Sequence, residues 1–204
     1  MIKKFLLIFL IIQNFSENFD LTNLYVTHEV WFDLETFHQN NTLDYKGRFL
    51  IAMFGGLLPK TTLNFVELCN GYVNSEKTLL TYKNSTVHRI MKNFVIQMGD
   101  VINGDGTNGE SIYGKTFSDE NFILKHRSHG WVSMANYGKD TNNSQFYIIL
   151  TKTPWLDYKY VVFGKVIEGM QVLNRIAQVP IDLESMIPLQ LVKIANCGYN
   201  RTNP

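Results

Sequence analysis

Val87-His88-Arg89-Ile90-Met91-Lys92-Asn93-Phe94-Val95-Ile96-Gln97-Met98-Gly99-Asp100 decides how this chain is read, because it sets one arginine among apolar side chains in a short extended segment. Apolar and β-branched residues dominate it, and Lys92-Asn93 suits a tight turn in which asparagine accepts a positive φ. The pattern predicts a β-hairpin. Pairing Met91 with Phe94 across the turn places Arg89 opposite Ile96, so Arg89 and the Phe94 ring share one face. Gln97 then falls on the other parity, and only a twist or bulge in the second strand brings it to the same side. A guanidinium beside apolar side chains suits a neutral, largely apolar ligand.

Outward from the hairpin, Glu29–Leu34 and Gly47–Phe54 read as two strands joined through the polar stretch His38 to Asp44. Pro59 opens a helix with apolar residues at Leu63, Phe65, Val66 and Leu68, stopped by Asn70-Gly71. A loop from Tyr72 to Thr81 leads into the hairpin. Gly104, Gly106, Gly109 and Gly114 then punctuate a surface loop ending near Phe117. No Lys-Ser/Thr pair and no helix start follow these glycines, which excludes a phosphate cradle. Trp131–Ala135, Gln145–Leu150 and Val161–Val166 are further strands, Met170–Ala177 a second helix, and Leu189–Ala195 a last strand. Many strands and two helices predict a closed antiparallel barrel with helical plugs, since an open sheet leaves edges exposed.

With 204 residues, 45% of them hydrophobic and 18% charged, the chain can bury one substantial core, and no linker, repeat or low-complexity tract divides it. A net charge of +1 without a basic block argues against nucleic acid as a partner. Lys3-Lys4 ahead of the apolar run Phe5–Ile12 has the export pattern. The run falls well short of the roughly 20 residues a membrane span needs. Residues 1–20 are therefore expected to be a secretory signal peptide, cleaved between Ser16 and Tyr25, rather than an uncleaved anchor or a buried first strand.

Export predicts an oxidising compartment, where Cys69 and Cys197 form either one disulfide or two small buried hydrophobes; the residues alone leave both readings open. The triplets at Asn40, Asn84, Asn142 and Asn200 fit N-glycosylation but are common by chance in so asparagine-rich a chain. His28, His38, His88, His126 and His129 show no metal spacing, the cysteines lack CxxC, and no Gly-x-Ser-x-Gly elbow occurs. Any catalysis must then work through binding and electrostatics, with no metal or cofactor.

The series His88-Arg89-Ile90, Phe94, Gln97, Gly99-Asp100, Gly106-Thr107, Ser133-Met134-Ala135-Asn136, Ser144-Gln145-Phe146, Trp155-Leu156-Asp157 and Val161-Val162-Phe163-Gly164-Lys165-Val166 resembles a cyclophilin in order from about Val30 to Gly198. The leader and the segments Gly130–Asn136 and Gly164–Met170 are most similar to the secretory-pathway, cyclophilin B type members. The resemblance implies a mainly β fold over residues 26–200, a closed eight-stranded antiparallel barrel capped by two α-helices, and peptidyl-prolyl cis-trans isomerase activity. It implies that Arg89, Phe94 and Gln97 are catalytic, and that His88, Val95, Ala135, Asn136, Gln145, Tyr147, Trp155, Leu156 and Tyr160 bind substrate. Proline-containing polypeptides are the implied partners of a monomer, cyclosporin A the implied ligand, and the endoplasmic reticulum lumen or the exterior the implied location. A proline-peptide-binding chaperone with weak turnover is the competing reading.

Against the family pattern, Val95 stands for methionine, Tyr147 for phenylalanine, Tyr160 for histidine, and Tyr137 for a small residue beside the neighbouring pocket, where it is expected to act as a gate. Met98, Asn143 and Tyr158 replace glycines, which puts the local backbone in question. Cys69 and Cys197 match positions that carry a cysteine pair in some cyclophilins, which favours the disulfide.

Overall fold

The computed structural model describes residues 25–202, so the expected signal peptide lies outside the described residues. β1 (His28–Phe37) and β2 (Leu43–Met53) form a long hairpin, followed by α1 (Pro59–Asn70). The loop after α1 holds a small two-stranded ladder, β3 (Tyr72–Val73) with β4 (Leu79–Leu80), which the sequence reading left irregular. Next come β5 (Val87–Met91), β6 (Val95–Met98), β7 (Trp131–Met134) and β8 (Phe146–Ile149). β9 (Val162–Glu168), α2 (Met170–Ile176) and β10 (Val192–Arg201) complete the chain, β10 starting after Leu189 and running on past Ala195.

Eight strands pair antiparallel in the order β10-β1-β2-β9-β7-β8-β6-β5, a half-barrel with two helices. The pairing does not close as expected. β10 meets the β5 end only at the Thr86–Lys193 bridge, flanked by Asn84 N–H to Ile194 O (2.8 Å) and Ile194 N–H to Ser85 O (2.9 Å). Beyond that point the outer edge of β5 is occupied, because the Ile90 N–H donates to Met186 O at 2.9 Å. The loop around Met186 thus covers an edge that a ladder to β10 would otherwise use.

The inward faces bury a cluster of rings. Phe65 of α1 contacts Phe146 (centroids 4.9 Å, edge-on) and Phe163 (5.0 Å), while Phe32 stacks on Phe49 at 5.3 Å. Each fully buried ring contributes about 1.5–3 kcal/mol of transfer free energy. Leu63, counted as apolar helix face from sequence, is exposed instead. No side chain caps α1 at Leu58; Glu120, from a distant loop, accepts from Lys60 N–H (2.9 Å), Thr61 N–H (2.8 Å) and the Thr61 hydroxyl (2.8 Å). A carboxylate there satisfies orphan donors and the helix dipole together. Val172, Leu173 and Ile176 of α2 are buried likewise.

Cys69 of α1 and Cys197 of β10 are neighbours but free thiols, with Cys197 Sγ donating to Cys69 O at 3.2 Å; the expected disulfide is not formed here. The Cys69 thiol is pushed up by its hydrogen bond with Cys197 and by burial. Of the positions where glycine was expected, Met98 and Asn143 keep ordinary φ, while Tyr158 takes φ 65° and holds the Lys125 ammonium over its ring at 3.2 Å. Among the described residues, no helix is long and apolar enough to cross a membrane.

Candidate functional site

The β5–β6 hairpin turns through Lys92, Asn93 and Phe94, with Asn93 at φ 60° and the Phe94 N–H on Met91 O at 3.0 Å. Phe94 therefore belongs to the turn, and Met91 pairs with Val95 rather than with Phe94 as the sequence reading had it. That shift places Arg89 opposite Gln97 instead of Ile96. Gln97 thus reaches the arginine's face by direct pairing. A bulge does occur, between Val87 and Arg89, and it turns the His88 side chain inward.

Arg89 opens onto a groove of about 560 Å³, which is also lined by His88, Phe94, Val95, Gln97, Ala135, Asn136, Tyr137, Gln145, Tyr147, Leu156 and Tyr160. Trp155 alone among the expected site residues lies outside it; 58% exposed, it stacks on Phe94 (centroids 6.1 Å, 22°) and buttresses that ring from behind. The lining also includes Met91, Asp105, Gly106, Thr107, Ser185 and Ile187, which the sequence reading had not placed there. Arg89 is exposed and makes no hydrogen bond or ion pair among the described residues, so its donors face the groove unspent.

One wall is built by Asp100. Its carboxylate, 1% exposed, accepts from the N–H groups of Ile102, Asn103 and Gly106 at 3.0 Å each and of Asn108 at 3.2 Å. This folds the glycine-rich loop back, bringing Gly106 O and Asn108 O to Gln145 Nε2 (3.0 and 2.5 Å). Gln145 Oε1 in turn accepts from Gln97 Nε2 at 2.9 Å, so the two amides are fixed as a pair. Tyr137 joins from the opposite loop: its hydroxyl donates to Gly106 O (3.0 Å) and accepts from Gln145 Nε2 (3.1 Å). Asn136 Nδ2 is held by Lys159 O at 3.0 Å. His88 lies beneath this wall, and a Cβ on Gly106 would overlap its ring. Burial lowers its pKa, opposed chiefly by Asp100.

The apolar end is formed by Phe94, Leu156, Tyr147 and Tyr160, the two tyrosines meeting edge-on at 5.6 Å. Tyr147 is 5% exposed, and its hydroxyl points to His126 Nε2 at 2.9 Å. Burial raises the phenol's pKa. His126 Nδ1 and N–H both lie on Asp157 Oδ1, at 2.8 and 2.9 Å. Burial lowers the His126 pKa, with Asp157 opposing. Among the described residues no three His, Cys, Asp or Glu side chains group so as to hold a metal ion.

An apolar end, an exposed guanidinium and an amide pair can seat a ring beside an amide bond and donate to that bond. A family model described as cyclophilin type peptidyl-prolyl cis-trans isomerase matches residues 36–199. The chain is 45% identical over 195 residues to peptidyl-prolyl cis-trans isomerase B of Saccharomyces cerevisiae, covering 95% of this chain and 90% of that one. It is also 45% identical over 152 residues to peptidyl-prolyl cis-trans isomerase 11 of Caenorhabditis elegans (74% and 82% covered). The figures for peptidyl-prolyl cis-trans isomerase H of Mycosarcoma maydis are 45% over 152 residues, with 74% and 97% covered.

Proposed function

Since the chain belongs to the cyclophilin-type peptidyl-prolyl cis-trans isomerases, we propose that Arg89 drives its isomerisation of X-Pro bonds by stabilising the twisted amide. The reaction breaks amide resonance, a barrier of about 18–20 kcal/mol, and requires neither proton transfer nor covalent attack. As the bond twists, the prolyl nitrogen pyramidalises and gains a lone pair that the planar amide lacks. A guanidinium donor aimed at that nitrogen binds the twisted state more tightly than either ground state, which is the condition for acceleration. Each tenfold in rate asks about 1.4 kcal/mol of such preference. Phe94, Val95, Leu156, Tyr147 and Tyr160 take the proline ring, with Trp155 behind Phe94. Gln97, Gln145, Asn136 and Ala135 hold the peptide backbone. His88 supports the Gly106 wall, and Tyr137 gates the space beside it.

The observation that carries this reading is Arg89, without an ion pair or hydrogen bond among the described residues, directly opposite Gln97 at the edge of the apolar end. Arg89→Ala is expected to lower kcat/KM for an X-Pro peptide about 10²–10³-fold with peptide binding retained. Arg89→Lys recovers little, because an ammonium lacks the planar fork. Unchanged turnover in Arg89→Ala overturns the mechanism. Binding without turnover in the unmodified protein would instead make the groove a proline-binding module.

The eight-stranded half-barrel with α1 and α2 supports the barrel plan of the family, with β10 tied to the β5 end at the Thr86–Lys193 bridge. We take residues 26–200 as its domain, acting as a monomer on proline-containing polypeptides and accepting cyclosporin A in the same groove. Lys3-Lys4 with Phe5–Ile12, and the similarity to an isomerase named B, support a place in the secretory pathway, in the endoplasmic reticulum lumen or outside the cell.

A further inference from the structure

The end wall of the groove is wired to a buried polar chain for which the mechanism above has no use. Tyr147 lines the groove with its ring and sends its hydroxyl away from it, onto His126 Nε2. His126 is 1% exposed and stacks nearly parallel to the Tyr147 ring (centroids 6.0 Å, 11°). Behind it Asp157 Oδ1 accepts from the backbone N–H of His126 and faces Nδ1.

These contacts determine where each proton sits. A carboxylate only accepts, so Nδ1 carries the hydrogen of a neutral imidazole, and Nε2 is left with a lone pair. The Tyr147 hydroxyl must then donate to Nε2, and its proton is turned into the core. We propose that His126, fixed by Asp157, is a positioning residue for the isomerase: it withdraws the Tyr147 hydroxyl so that the groove meets only the ring, and thereby sets affinity for the proline side of the substrate. The inference rests on the isomerase reading of the groove.

Two consequences follow. Without an acceptor at position 126, the buried hydroxyl loses the partner that draws it into the core and is left with Ser133 on the neighbouring strand, so the ring no longer keeps the position it presents to the groove. Protonating His126 does the same without mutation, because Nε2 then becomes a donor and the hydroxyl has to accept and swing its proton away. The charged or titratable groups facing the pair are Asp157, which favours the imidazolium, Lys125, which disfavours it, and Tyr160 beside Tyr147. The Lys125 ammonium is itself turned over the Tyr158 ring.

The test is a kinetic cycle on the full chain with an X-Pro peptide. His126→Leu is expected to raise KM about fivefold, the order that one hydrogen bond supports, while kcat changes less than about twofold. His126→Gln, whose amide oxygen can accept from the hydroxyl, restores most of the loss. Tyr147→Phe keeps the ring and sets its own baseline, and on that background His126→Leu adds no further change. The same KM ratio in both backgrounds overturns the proposal, since a merely structural histidine would act on either. Should His126→Leu fail to fold, the pH profile replaces it: KM of the unmodified protein rises from about pH 8 to about pH 5, whereas that of Tyr147→Phe stays level. Parallel profiles overturn the proposal. Absence of turnover in the unmodified protein would instead count against the isomerase reading itself.

Discussion

Tyr137 has a ring 67% exposed and a hydroxyl tied to both Gly106 O and Gln145 Nε2, so it spans two loops at little cost to the core. Tyr137→Ala should change stability by no more than about 0.5 kcal/mol, as for exposed positions generally. It should also raise kcat/KM for peptides with a bulky residue before proline, relative to those with a small one, by about three- to tenfold. Peptide pairs differing only at that residue check it, and an unchanged ratio removes the gate. Arg89 and Phe94 stood out from the hairpin pattern, while Gln97 was legible as a site candidate only through the order of the motifs around it. Trp155 shows the limit of that reading, since motif order marks a residue without saying which side of Phe94 it occupies. Asp105, Gly106 and Thr107 were missed because their approach to the groove depends on Asp100 gathering four N–H groups, and a single aspartate in a glycine-rich stretch carries no period to betray it.

The β5–β6 turn decides the face on which Gln97 lies. Alternation located both strands, but it could not say whether Phe94 ended the turn or began the strand, and one residue of slip inverts every side chain that follows. Asn93 at φ 60° fixes the outcome. Asn93→Val should cost about 1–2 kcal/mol, since a β-branched residue pays fully for the left-handed region, whereas Asn93→Gly should be nearly neutral. Urea denaturation of the two variants checks this, with equal midpoints as the contrary result. Helix α1 was readable from Pro59 to Gly71 because both of its boundaries are local signals, whereas its N-terminal cap, Glu120, is remote in sequence and left none.

For the whole molecule, the mainly antiparallel plan with two helices was visible in the spacing of strands and turns. The open strand pairing was not, because it depends on Met186 O reaching Ile90 N–H across the fold. His28, His88 and His126 all have pKa values lowered by burial from the ordinary 6.5, so each is held neutral in the folded state and is freer to take a proton when unfolded. Stability is therefore full above about pH 6.5 and falls as pH drops from there through the folded-state values. Urea midpoints at about pH 7.5 and pH 5.5 should differ in that sense, and His126→Gln should shrink the difference; equal midpoints would contradict it. The neighbouring thiols of Cys69 and Cys197 act on the same scale. They are 128 positions apart, so a covalent link between them would turn most of the unfolded chain into a ring, restricting the denatured ensemble by about 4–5 kcal/mol. The folded protein is a poor place to make that link, because a thiol held protonated attacks slowly. The time to forge it is before α1 and β10 have packed, which makes any such ring a record of the conditions under which the chain folded.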